Sequence, residues 1–157
     1  MKYTTPKTQQ FSKQKGSVLI EALIGILIFS AGILALIGLQ AVSIKNSSDA
    51  QYRTEAALFA NELIGQMWVA DKNQLTSNFS GTGSCTSGGA SYRAWCIKVV
   101  NGLKDGRGAV ISMPLPGAKP PTVTVAAGNN VTITINWQPP GTKLSHQYQA
   151  VTQISVN

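Results

Sequence analysis

The sequence predicts an α+β fold, one long N-terminal helix followed by a small antiparallel β-sheet head. Three observations predict it. From Ala22 to Ile44 there is no charged residue over 23 positions, and a membrane-spanning helix needs roughly 20 apolar residues. No proline occurs between Pro6 and Pro114, so nothing in that span forces a helix to break. Further on, Val131, Ile133, Ile135 and Trp137 alternate with polar residues, the period of a half-buried strand. Helix first and strands after is the α+β order.

The elements follow along the chain. Residues 1–16 form a basic leader with Lys2, Lys7, Lys13 and Lys15, ending at Gly16. Residues 17–44 are the apolar, membrane-competent half of the helix. Glu21 is the anomaly there, because an ionisable group inside a membrane segment is costly and marks function by default. Gly25, Ser30, Ala31, Gly32, Ala35 and Gly38 are small, and membrane helices approach one another at such positions. Residues 45–71 continue the same helix in amphipathic form. Ala56/Ala57, Ala60, Leu63/Ile64 and Met67 make one apolar face, and Asp49 and Arg53 are spaced for a surface pair. If residues 17–71 are one helix, it extends on the order of 80 Å.

Residues 72–157 form the head. From Gln74 to Ser91, Ser, Thr, Gly and Asn dominate, the composition of a surface loop. The Gly81-Thr82-Gly83-Ser84 run lacks the preceding strand and following lysine of a phosphate loop, so it reads as a flexible loop. Strands are expected at Tyr92 to Val100, Ala109 to Met113, Thr122 to Ala126, Val131 to Trp137 and Gln149 to Val156. Ala150, Ile154 and Val156 should point inward in the last. Gly128-Asn129-Asn130 and Pro139-Pro140-Gly141 are turn chemistry. Pro114, Pro116, Pro120 and Pro121 exclude a central strand across their segment.

The N-terminal residues carry the functional signal. Lys15-Gly16-Ser17-Val18-Leu19-Ile20-Glu21 joins a basic leader, a glycine, an apolar helix and a glutamate in one register. A cleavable secretory signal would have a shorter apolar core and a small-residue cleavage site. These residues resemble the type IV prepilin signature, in which the chain is cut after the glycine and glutamate is the fifth mature residue. The resemblance implies cleavage between Gly16 and Ser17 by a prepilin peptidase, N-methylation of Ser17 and retention of the apolar helix. It also implies that Glu21 aligns an incoming subunit by pairing with a Ser17 amine. Physics supplies the motive, since an unpaired charge in low dielectric is expensive and residues four apart share a helix face.

Two departures point toward a minor pilin. Gly38 stands where major pilins commonly carry a helix-breaking proline, and Ser17 replaces the usual phenylalanine. The head is similar in architecture to the pilin fold, and its Trp-ending strand and short C-terminus resemble the type IV pilus modification protein family, PilV. That family implies a low-abundance subunit that primes pilus assembly, with other minor pilins, the major pilin and a tip adhesin as partners. The implied location is the inner membrane, single-pass, with the head in the periplasm and the subunit assembled into, or at the tip of, a surface pilus. A minor pseudopilin of a type II secretion system would use the same signature and fold.

Charge and cysteines agree with an exported chain. The formal net charge is +7, but without the four leader lysines nine basic residues face six acidic ones, leaving +3. The excess is mainly a topology signal, because positive residues stay cytoplasmic. Nucleic acid is therefore the disfavoured partner, although Arg93, Lys98, Lys104 and Arg107 cluster in sequence and a DNA-uptake pilin would use them. Cys85 and Cys96 are the only cysteines. In an oxidising compartment they should form a disulfide, closing a loop whose entropy stabilises the fold by roughly 3 kcal/mol. His146 is the only histidine, so neither a metal site nor a cysteine–histidine pair is expected. Asp71, Asp105 and His146 give no basis for a catalytic set. The chain is read as a non-enzyme without cofactor, acting by assembly.

Overall fold

The computed structural model describes residues 16–155. The expected leader before Gly16 and the inward strand position expected at Val156 lie outside the described residues. The fold is α+β, with a long N-terminal apolar helix, a small antiparallel sheet and one disulfide. Contacts divide the chain into two units, Met1–Lys45 and Asn46–Asn157. Helix α1 (Ser17–Val69) contributes to both.

In the first unit α1 is apolar on every side. Its valines, leucines, isoleucines and Phe29 are 42–69% exposed within the chain. A helix of this kind must be covered by lipid or by other helices. It is long and apolar enough to cross a membrane. The Ser30 hydroxyl donates to the Ile26 carbonyl at 2.7 Å, so the helix satisfies its own polar side chain, as an apolar medium requires.

In the second unit α1 is amphipathic. Ala56, Phe59, Ala60, Leu63 and Met67 are buried at spacings of three and four, the period of one helix face. Phe59 joins the stripe expected from the sequence, while Ala57 and Ile64 flank it half-buried. Asp49 and Arg53 form no ion pair, contrary to expectation. The side chains of Gln51 and Glu55, two residues further along, bond instead. At the end of α1 the Lys72 ammonium donates to the carbonyls of Met67, Trp68 and Ala70, a cationic cap on the acceptors of the helix end.

The head corrects two sequence expectations. The segment from Gln74 to Ser91 is not loop throughout. The Asp71 carboxylate accepts from the Asn73 N–H and opens a 3₁₀ turn, which leads into α2 (Leu75–Phe79). Leu75 and Phe79, one turn apart, are both buried, and these two anchors outweigh the polar composition around them. The strand expected at Tyr92 to Val100 is instead helix α3 (Ala90–Asn101). Its buried residues are Tyr92, Trp95, Cys96 and Val99, at i, i+3, i+4 and i+7. That helical period outweighs the β propensity of aromatic and branched residues. Gly102 closes α3 at φ 71°, donating its N–H to the Lys98 carbonyl, a backbone conformation that glycine adopts without strain.

A two-stranded ribbon pairs β1 (Leu103–Lys104) with β2 (Val110–Ser112). No strand crosses the proline segment 114–121. The main sheet is antiparallel in the order β3-β4-β5. β3 (Thr122–Ala126) and β4 (Asn130–Trp137) are joined by a tight turn with Gly128 at φ 71° and Asn129 at φ 55°, residue types that tolerate the left-handed region. Val131, Ile133, Ile135 and Trp137 are all buried, as their alternation predicts. β5 (His146–Gln153) begins three residues before the expected Gln149. Its pairing with β4 extends to Trp137↔His146, where the imidazole stacks on the indole with centroids 5.8 Å apart. Ala150 is half-buried on the inward row, and Ile154 is buried just past the strand.

The buried face of β4 shares one apolar cluster with α1, α2 and α3. Each large side chain sealed there contributes about 1.5–3 kcal/mol.

Candidate functional site

Ser17 is the first residue of α1, and Glu21 lies one turn along it. Four-residue spacing puts them on one face. Both are exposed within the chain, among Val18, Leu19, Ile20, Leu23 and Ile24, which are also exposed. A carboxylate on so apolar a surface cannot be covered by lipid or a neighbouring helix without a partner. A free amine at Ser17 would supply one on the same face. Gly16 precedes the helix in a turn, with open space around its Cα.

The head is fastened by contacts centred on α3. Cys85 and Cys96 are joined by a disulfide with Cα atoms 5.3 Å apart, which ties the Ser/Gly-rich segment to a buried position of α3. The Trp95 indole N–H donates to the Phe59 carbonyl of α1 at 2.9 Å. The Tyr92 hydroxyl donates to the Pro121 carbonyl at 2.7 Å, and burial raises the Tyr92 phenol above its usual value of 10.0. Lys98 pairs with Glu62 of α1 at 2.6 Å, the one ion pair among the described residues. Being partly exposed, it contributes at most about 1 kcal/mol. The loop expected to be flexible is pinned at its first residue, where Gly81 bridges Val123 and the Tyr92 ring lies so close that a Cβ would clash.

The four basic residues lie on three separate segments. Arg93 and Lys98 are on α3, Lys104 on β1 and Arg107 in the following turn, and Lys98 is committed to Glu62. Asp71, Asp105 and His146 are not brought together either. Asp71 caps a 3₁₀ turn, and Asp105 accepts from the Arg107 and Ala109 N–H groups. His146 stacks on Trp137. Among the described residues, no three His, Cys, Asp or Glu side chains gather as a metal set. The cleft beside His146 is lined by Asp49, Ala50, Arg53, Trp137 and Gln147, and the buried Trp137 indole N–H has no acceptor there or elsewhere among the described residues.

No family model, characterised protein or solved structure matches the chain. Its functional reading therefore stands on residues and geometry. The clamp from Trp95 to the Phe59 carbonyl and the Lys98–Glu62 pair were missed in the sequence, although the spacing of Tyr92, Trp95, Cys96 and Val99 could have revealed the helix that makes both.

Proposed function

We propose that this chain is a minor pilin of a type IV pilus, of the PilV kind. It is held in the inner membrane by α1 after a prepilin peptidase removes residues 1–16, and it helps start the pilus with other minor pilins. One observation carries the reading. Gly16, Ser17 and Glu21 stand in the prepilin register at the head of an apolar helix that runs without interruption, Ser17–Val69, into a disulfide-bonded α+β head. A cleavable signal needs no such continuity, and a plain anchor has no use for Glu21.

The assignment of parts follows from the chemistry. The apolar half of α1 is the subunit's share of the membrane and then of the filament core. Glu21 neutralises the methylated Ser17 amine of its own chain or of a neighbour, so that a charge buried among apolar helices is paired. The disulfide suits a head folded in the periplasm. Replacing Gly16 tests the reading at its base. Gly16→Ala should leave the leader uncut in cells with an active prepilin peptidase, and mature protein at normal levels in that variant would contradict the proposal.

A further inference from the structure

One cleft of the head gathers charges of both signs that no ion pair neutralises. It has a volume of about 390 Å³ and is lined by Asp49, Ala50 and Arg53 of α1, by Trp137 at the end of β4, and by His146 and Gln147 at the start of β5. Small ligands are held in clefts of this size. Asp49 and Arg53 are one turn apart on α1, yet the one ion pair among the described residues lies elsewhere, between Lys98 and Glu62. The opposite wall is the stacked Trp137–His146 pair. The buried Trp137 indole N–H has no acceptor among the described residues, and a buried donor left unmatched is costly.

The charges specify the occupant. A simple anion meets Arg53 but is opposed by Asp49, and a simple cation meets the reverse. A ligand that carries an anion and an N–H-bearing cation, spaced across one helical turn, satisfies both. The place of the cleft on α1 says where such a ligand comes from. Ile44 ends the charge-free run, and Asp49 and Arg53 follow it by five and nine positions in the same uninterrupted helix, about 8 and 14 Å of rise. Helical side chains lean toward the N-terminus of their helix, here toward the apolar half, and a long arginine reaches further the same way. The headgroup zone outside a hydrocarbon core is about 5–8 Å deep on each side. A bilayer crossed by the run therefore presents its headgroups within reach of both charges.

We propose that the cleft binds the headgroup of a zwitterionic phospholipid of the phosphoethanolamine class, with its phosphate at Arg53 and its ammonium at Asp49. These two groups of the headgroup are joined through two carbons, a span that suits charges on adjacent helical turns. The Gln147 amide stands in the same cleft as a further polar partner. Occupied, the cleft holds the head to the bilayer surface while the chain is in the membrane. The inference rests on α1 crossing a membrane, which the pilus reading also requires, and on nothing specific to a pilus.

Titration of the full chain with short-chain phosphatidylethanolamine in neutral maltoside micelles tests it. His146 is the only histidine, so a chain purified without a histidine tag gives one imidazole NMR signal, and it comes from the cleft. That signal should move saturably. Phosphatidylglycerol, which has the phosphate without the ammonium, and phosphatidylcholine, whose nitrogen has no N–H, should each bind at least about tenfold more weakly. Arg53 is exposed and Asp49 half-buried, so Arg53→Gln and Asp49→Asn leave the core intact; each should weaken phosphatidylethanolamine by a similar factor. No saturable movement, or unchanged affinity in both variants, would overturn the site. Equal binding of the glycerol or choline lipid would overturn the zwitterion assignment. Soluble glycerophosphoethanolamine binding as tightly as the lipid would overturn the bilayer as the source. The pilus reading is judged separately, by the mass of the N-terminus, so the failure of either is distinguishable from the failure of the other.

Discussion

At the scale of single residues, Tyr92 is held on several sides at once. Its hydroxyl is bonded to the Pro121 carbonyl, its ring covers Gly81, and burial raises its phenol above 10.0. The unfolded chain therefore releases that proton at lower pH than the folded one. The stabilisation is complete below about pH 10 and is lost as pH rises through the raised folded value. Tyr92→Phe should remove this alkaline loss and cost about 1 kcal/mol near neutrality, where Pro121 loses its donor. Urea titration of both proteins in micelles, at about pH 8 and about pH 11, measures the difference. Cys85→Ser should cost about 2–4 kcal/mol through the opened loop. The same midpoint with and without reductant in the unmodified protein would show that the disulfide contributes nothing. Glu21→Ala should leave membrane insertion intact, because it removes a charge from an apolar helix, yet reduce piliation; full piliation would remove its pairing role.

At the scale of elements, what was legible depended on whether local pattern and tertiary burial agreed. β4 was readable because its alternation and its burial coincide at Val131, Ile133, Ile135 and Trp137. Ile133→Ala, removing the centre of that row, should destabilise the head by about 2–5 kcal/mol; a loss under about 1 kcal/mol would mean the row is less tightly packed than described. α3 was misread because Tyr, Trp, Ile and Val favour strands by type, while their spacing here is helical. α2 was hidden by its polar neighbours, and only Leu75 and Phe79 hold it in the core. The start of β5 was hidden by His146 and Gln147, whose strand geometry comes from pairing with β4 and from the stack on Trp137. Such cross-strand causes have no local signature.

At the scale of the whole molecule, the order of long apolar helix, amphipathic continuation and β head was written in the charge-free run, the absence of proline and the alternation of β4. The contacts that fasten the head were not. Trp95 to the Phe59 carbonyl and Lys98 to Glu62 each join residues 36 apart in sequence, and nothing in either segment announces the other. The N-terminal pattern needed no tertiary information, because the register of Gly16, Ser17 and Glu21 is read along the chain alone. On the pilin reading, residues 1–16 are removed and α1 is kept. Intact mass of the protein recovered from its native membrane or from sheared surface filaments tests it most directly. The mass should be that of a chain beginning at N-methylated Ser17, lighter by two hydrogens for the Cys85–Cys96 bond. A chain that retains Met1 to Gly16 in cells with active prepilin peptidase would contradict the account and leave α1 as a simple membrane anchor.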